Sequence, residues 1–243
     1  MGVLWTAMFA PVVLVFTMAI SLAICISGLV DRTGWAWWRI GRFWGWAVVR
    51  LSGATGVKTS NIERLNGFKG AIFMANHESN LDPPLLIGLS KEPVRFVTKH
   101  SLFWVPIFGQ ALWVVGMIPV NRNRRDKAID SLQQAANRIR EGRVVLVFPE
   151  GKRSPTDALL PFKKGGFMLA LQAGVPIIPI GIAGTQKVLP PGWNPISFGQ
   201  VAVSVGEPIL TEGMDISHRK QLMDQVEASI LEERSRAREM LKT

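Results

Sequence analysis

The sequence predicts an α/β fold, a sheet flanked by helices, preceded by an apolar, tryptophan-rich two-helix membrane motif at the N-terminus. Three observations carry this. From Gly56 onward short β-rich runs alternate with helical runs; residues 1–30 contain no charged side chain; and five of the nine tryptophans fall between Asp31 and Leu51. A length of 243 residues suits one domain with an appendage, at roughly 100–200 residues per domain. The division expected is a membrane-associated helical motif over residues 1–54 and a catalytic-sized domain over residues 55–243.

About 20 apolar residues suffice to cross a bilayer core as a helix. Val3 to Val30 exceeds this, with only Thr6, Thr17, Ser21 and Ser27 as hydroxyl interruptions. A cleaved signal peptide needs a basic start and a shorter apolar core, so a retained membrane segment is expected. Pro11 can kink it, and its length permits either a crossing or a shallow insertion. The next stretch carries Trp35, Trp37, Trp38, Trp44 and Trp46. At 100° per residue Arg32, Arg39, Arg42 and Arg50 fall within an arc of about 80°. Basic residues on one face with tryptophans around them describe a helix at the headgroup boundary; a tryptophan cluster packed in a core is the plainer alternative. Arginines directly after the segment place that side in the cytoplasm.

In the body, Ala71–Ala75, Val94–Thr98, Met117–Val120, Val144–Phe148, Ile177–Ile182 and Val201–Val205 read as strands. Helices are expected over Pro83–Leu89, opened by prolines, over Asp126–Glu141, ended by Gly142, and over Lys163–Ala173, ended by Gly174. The tail from Ile216 to Leu241 is charged and amphipathic, with Ile216, Met223, Val226 and Ile230 on the face that packs on the sheet. Strand and helix in alternation place helices on the faces of one sheet.

Composition removes several classes. At 48% hydrophobic and 19% charged the chain is too apolar for disorder. One cysteine, Cys25, excludes a disulfide framework, and three histidines with it do not make a Cys/His zinc site. The net charge of +10 suits an anionic partner. Nucleic acid is disfavoured by the membrane segment and the lack of a recognised motif.

The first chemical candidate follows the strand at Ala71: Asn76-His77-Glu78-Ser79-Asn80-Leu81-Asp82. On an ideal helix residues five apart diverge by about 140°, so His77 and Asp82 meet only through a loop and a first helical turn. In that geometry Asp82 fixes the tautomer and leaves the other imidazole nitrogen as a base. An N-cap at Asp82 with a loop histidine is the competing reading. Ser79 lacks the glycine-flanked elbow of a serine nucleophile, and His100 and His218 sit in less suggestive contexts and read as surface or structural residues.

The second candidate is basic. Phe148-Pro149-Glu150-Gly151-Lys152-Arg153-Ser154 closes an apolar strand, where open α/β sheets form their crevice. Gly151 allows close backbone approach, and Arg153 can clamp a phosphate with two donors. Glu150 can organise the cations beside it. Val120-Asn121-Arg122 closes another strand, with Arg124 and Arg125 behind it. Phe162-Lys163-Lys164-Gly165 opens a helix, whose N-terminal end favours anions. A compact phosphate on the substrate fits these groups; a generally basic surface beside anionic lipid is the alternative.

With these residues in place the chain resembles the glycerolipid acyltransferase family. The family's block of histidine, four residues and aspartate matches His77 and Asp82. Its second block matches Gly116 to Arg122, GMIPVNR; its third, FPEG with a variable residue and arginine, matches Phe148 to Ser154; its fourth matches Val175 to Ile180, VPIIPI. Phe96 to Gln110 is similar to the segment between the first two blocks. Lys152 stands where many members have threonine, and Asn121 where an acidic residue often precedes the arginine. Both departures bear on how the phosphate end is held.

The resemblance implies a mixed sheet flanked by helices and a membrane-bound transfer of a fatty acyl group. The donor is acyl-CoA or acyl carrier protein, a substrate rather than a cofactor, and no cofactor or metal is implied. The acceptor is the sn-2 hydroxyl of lysophosphatidate, at the cytoplasmic face of the bacterial inner membrane. His77 is then the general base, Asp82 its orienting partner, and backbone N–H groups around the first block hold the oxyanion. Arg122, Glu150, Gly151, Lys152, Arg153 and Lys163 form the substrate-binding set. Another lysolipid acceptor keeps the same chemistry. A non-catalytic, membrane-anchored binder of acidic lipids is the reading from a different class, and it needs no poised base.

Overall fold

The computed structural model describes residues 2–31, 33–120, 133, 135–156, 158–192 and 194–242. Helix α1 spans Gly2–Val30 and contains Pro11. Its segment Thr6–Val30 is long and apolar enough to cross a membrane, and little of it is buried. The Asp31 carboxylate then accepts the N–H groups of Thr33 (2.8 Å) and Ala36 (2.6 Å), which turns the chain into α2, Trp35–Leu51.

The remaining elements are β1 (Ala54–Ser60), β2 (Ala71–Ala75), α3 (Asp82–Leu89), β3 (Val94–Lys99), α4 (Phe108–Val115) and β4 (Ile118–Val120). Helical residues 135–140, here α5, precede β5 (Val144–Val147), α6 (Lys164–Ala173), β6 (Ile177–Ala183), α7 (Thr185–Val188), β7 (Gly199–Val205) and α8 (Arg219–Met240). The strands form one sheet in the order β1-β7-β6-β2-β5-β3-β4. Every neighbouring pair is parallel except β6 with β7, so the sheet is mixed, as the resemblance implied.

Residue alternation assigns the two faces. In β2, Ala71, Phe73 and Ala75 join the core layer that contains Trp38, Leu85 and Leu86, whereas Ile72 and Met74 join the layer with Phe167, Leu169, Val226 and Ile230. β5 divides likewise, with Val144 and Leu146 on one face and Val145 and Val147 on the other. A strand covered on both sides reads as an unbroken apolar run. That is why these central strands stand out in the sequence.

β1 and α4 do not stand out. β1 is an edge strand of sequence ATGVKTS with mostly half-buried residues, so it lacks a strong β pattern. Of the expected helix Asp126–Glu141, residues 121–132 and 134 lie outside the described residues, and 135–140 are helical. In the tail, Val226 and Ile230 are buried as expected, but Ile216 is exposed. It lies in a 3-10 turn ahead of α8, and Leu222 fills the core instead.

The tryptophan cluster is divided between two environments. Trp37 and Trp38 are buried and belong to the core layer under α3, whereas Trp35 is 63% exposed. Trp44 donates to the Thr17 hydroxyl of α1 at 2.9 Å. The α2–α3 crossing is close: a Cβ on Gly45 would lie 2.5 Å from the Pro84 carbonyl oxygen. The α2 helix is therefore amphipathic in a double sense, with one face in the core and one carrying Trp35, Phe43, Arg39 and Arg50 outward.

Candidate active site

The C-terminal end of β2 delivers Asn76 and His77. Asn76 is buried and extends the sheet with its side chain, donating to the Ile182 carbonyl at 2.9 Å and accepting the Ile182 N–H at 2.7 Å. The chain must then turn before Pro83 and Pro84 open α3, and Asp82 organises that turn. Its Oδ2 accepts the N–H groups of Glu78 and Ser79, each at 2.8 Å, and contacts His77 Nδ1 at 2.8 Å. The Asp82 side chain is fully buried, and that of His77 is 16% exposed. The loop geometry required for the two residues to meet is thus present. Asp82 does not cap α3 forward; it lies in the first turn and points back into the loop.

Phe148 at the end of β5 stacks on the imidazole, with ring centroids 4.1 Å apart and planes 18° from parallel. Glu150 works on the backbone. Its Oε1 accepts the His77 N–H at 2.7 Å and its Oε2 the Leu160 N–H at 2.8 Å. The Ser154 N–H donates to the His77 carbonyl at 2.8 Å. Burial pushes the Glu150 carboxyl up, and the two N–H donors pull it down. Glu150 was expected among the substrate-binding residues. With 1% of it exposed and both oxygens occupied, it is a brace between the two sequence blocks.

The cations lie around the same cavity of about 1310 Å³, which His77, Lys152, Arg153 and Lys163 all line. Gly151 has φ +71°, and a Cβ there would sit 2.9 Å from both Lys163 Cδ and Cε, so glycine serves both the turn and the lysine above it. Arg122, with Asn121, Arg124 and Arg125, lies outside the described residues. Lys99, at the end of β3, and Asn80, in the histidine loop, also line the cavity. Neither was singled out in the sequence, although Lys99 ends a strand just as Arg122 was expected to. The far wall is apolar and comes from the two N-terminal helices and α4, with Val13 and Ile24 of α1, Trp38 and Val48 of α2, and Leu112 and Val115 of α4.

One expectation changes in detail. Three N–H groups of the first block are occupied: that of His77 by Glu150, and those of Glu78 and Ser79 by Asp82. They are not open to an oxyanion. The Ser79 hydroxyl is also committed, donating to the Leu189 carbonyl at 2.7 Å and accepting the Leu81 N–H at 3.1 Å. His100 receives the Trp104 indole N–H at 3.3 Å, and His218 pairs with Asp215. A group the sequence reading passed over stands beside His77. Glu78 is buried and bonded to Arg234 of α8, Nε to Oε1 2.8 Å and Nη2 to Oε1 2.6 Å. Burial pushes the Glu78 carboxyl up to about 7, against the pull of Arg234 and with the help of Asp82.

A family model described as acyltransferase matches residues 56–183. The chain is 37% identical over 143 residues to the 1-acyl-sn-glycerol-3-phosphate acyltransferase of Salmonella typhimurium and 38% to that of Escherichia coli. Each alignment covers 58% of this chain and 58% of the relative, so the chain spans under two thirds of the length of these curated relatives. Its fold matches the crystal structure of the 1-acyl-sn-glycerophosphate (LPA) acyltransferase PlsC from Thermotoga maritima. The TM-score is 0.83 at 24% identity, over 98% of this chain and 95% of the other.

Proposed function

The chain belongs to the acyltransferase family, and on that premise we propose that it is a membrane-bound 1-acylglycerol-3-phosphate O-acyltransferase. It moves a fatty acyl group from acyl-CoA or acyl carrier protein to the sn-2 hydroxyl of lysophosphatidate, giving phosphatidate for phospholipid biosynthesis. One observation carries the reading: a single cavity brings His77 and four cations, Lys99, Lys152, Arg153 and Lys163, together with an apolar wall of α1, α2 and α4. The cations suit a phosphate beside a reacting hydroxyl, and the apolar wall suits acyl chains. The names of the similar enzymes point the same way.

In the proposed step, ionised Asp82 accepts from Nδ1–H, so Nε2 of His77 keeps its lone pair. Nε2 takes the sn-2 hydroxyl proton as that oxygen bonds to the thioester carbonyl carbon. The carbonyl oxygen becomes an oxyanion. Collapse breaks the C–S bond, and the proton passes from His77 to the departing sulfur, so one ester forms and one free thiol leaves. Because the N–H groups of His77, Glu78 and Ser79 are occupied, the amides that open α6 take the oxyanion role. Gly165 and Gly166 line the cavity, and the first N–H groups of a helix have no partner within it.

Arg153, Lys152 and Lys163 hold the phosphate, with Arg122 as the expected fourth cation. Fixing the acceptor this way lowers the entropic part of the barrier. Transfer is direct. Cys25 lies in α1 with its sulfur toward the Ile107 carbonyl at 3.8 Å, and the Ser79 hydroxyl is engaged. The chemistry draws on no cofactor. Helix α1 anchors the enzyme in the inner membrane, and the arginines that follow it support a cytoplasmic active site.

The experiment is an acyl-transfer assay in membranes, with lysophosphatidate and each donor in turn, following free thiol. Thiol release that depends on lysophosphatidate supports the reading. Release with other lysolipids and none with lysophosphatidate overturns the acceptor; no release with any lysolipid overturns the enzyme.

A further inference from the structure

At the opposite end of the sheet from His77, arginines converge, and no carboxylate among the described residues pairs with them. Val94 of β3 faces Val144 of β5 in the parallel ladder, so Arg95 and Arg143 stand at the start of adjacent strands. They meet beside Gly116, which ends α4. A Cβ on Gly116 would lie 3.5 Å from Arg143 Nη1 and 3.6 Å from Arg95 Nε. Arg138 of α5 is held close by its chain, since the Arg143 N–H donates to the Arg138 carbonyl at 3.3 Å.

The Arg95 guanidinium lies 5.5 Å over the Trp37 ring. Among the described residues its Nε is buried without an acceptor, and its Nη1 reaches the Pro93 carbonyl alone, at 3.3 Å. Among the described residues no Asp or Glu pairs with Arg95, Arg138 or Arg143. Burial, with Arg143 and Arg138, pushes Arg95 down to about 10. Like charges gathered on a partly buried site cost free energy, which an anion between them offsets.

The surroundings indicate which anion. Val114, two residues before Gly116, packs so closely on α1 that a Cβ on Gly28 would lie 2.5 Å from its Cγ1. Beyond that contact Leu29 and Val30 are each 84% exposed, and Trp35 and Trp113 are exposed as well. The arginines therefore stand at the polar margin of an apolar and aromatic surface, where a bilayer places its phosphates. We propose that Arg95, Arg138 and Arg143 bind the phosphate of an anionic phospholipid headgroup in the surrounding bilayer; none of the three is among the residues lining the cavity of the reacting lipid, although Trp37 beneath Arg95 is. This rests on the membrane-bound reading above.

The test is flotation of the full chain with vesicles of phosphatidylcholine alone and of phosphatidylcholine mixed with phosphatidylglycerol. A basic residue at an anionic surface is worth about fivefold in affinity. Arg143→Gln is expected to weaken binding to the anionic vesicles by about that factor or more, leaving phosphatidylcholine binding and detergent-assayed turnover unchanged. Arg95→Gln should behave likewise; because Arg95 packs on Trp37, Arg143→Gln is the decisive variant. Lys220→Gln removes an exposed charge from the first turn of α8 and should have no such effect. Equal losses in Arg143→Gln and Lys220→Gln, or none in either, overturn the site. Inorganic phosphate that raises the Tm of wild type but not of Arg143→Gln, with vesicle binding unchanged, assigns the cluster to free phosphate and overturns the lipid. Failure of wild type to bind either vesicle overturns this site and the membrane reading together, whereas neutral binding without charge dependence overturns this site alone.

Discussion

The Arg234 guanidinium and the Glu78 carboxylate form an ion pair in the protein interior, with side chains 4% and 5% exposed. It ties the last helix to the loop that carries His77. The approach is close along the whole contact, since a Cβ on Gly181 of β6 would lie 2.1 Å from the Arg234 backbone nitrogen. Breaking a buried pair by removing one partner costs about 3–5 kcal/mol. Above about pH 7, where Glu78 is ionised, Arg234→Met is therefore expected to lower thermal stability by an amount of that order and to lower kcat more than it raises KM. Arg234→Lys should recover part of both. Thermal unfolding and steady-state kinetics on detergent-solubilised protein check this, and unchanged stability would remove the proposed tie.

Glu78 also predicts a pH dependence. Its folded-state carboxyl is raised from 4.5 to about 7, mainly by burial. Between those values the folded protein holds a proton that the unfolded chain has released, so stability falls as pH rises. This contribution is fully present below the unfolded value and is lost as pH passes about 7. The Tm of wild type relative to Glu78→Gln should decline across that window and level off above it. A difference that rises with pH would reverse the assignment.

Glu150→Gln separates bracing from substrate binding. An amide keeps one acceptor oxygen for the two N–H groups now served by the carboxylate, and it turns an NH2 toward the other. An unsatisfied buried donor costs about 1–3 kcal/mol. The expected result is a fall in kcat of about 5- to 150-fold, with the KM for lysophosphatidate little changed. A KM effect alone would return Glu150 to the substrate.

For the proposed phosphate site the pattern is the opposite. A hydrogen bond to a charged group is worth about 1.5–3 kcal/mol, so Arg153→Ala should raise the KM for lysophosphatidate about 10- to 150-fold. The KM of the acyl donor should stay within a few-fold. Kinetics with each substrate varied separately read this out, and an unchanged KM and kcat would exclude Arg153 from the phosphate.

The central strands were legible because burial on both faces leaves unbroken apolar runs such as Ala71–Ala75 and Val144–Val147. The His77 and Asp82 pairing was legible as a requirement for a loop, which Pro83 and Pro84 supplied. Three things were not. The weakly patterned edge strand β1 carries no strong signal, and one helical projection could not tell Trp38 in the core from Trp35 outside it. Glu78 and Arg234 are separated by 156 residues, and no local spacing joins them. Glu150 illustrates a further limit: its position beside cations suggested electrostatics, whereas its partners are backbone N–H groups that only the folded chain brings within reach.

The account rests on His77 as the base held by Asp82. The direct measurement is turnover of His77→Ala in membranes with lysophosphatidate and an acyl thioester, beside wild type at matched expression. A general base contributes about 10²–10⁴-fold, so the variant should lose at least about a hundredfold in kcat while still floating with membranes. Turnover close to wild type would contradict the assignment and the mechanism built on it.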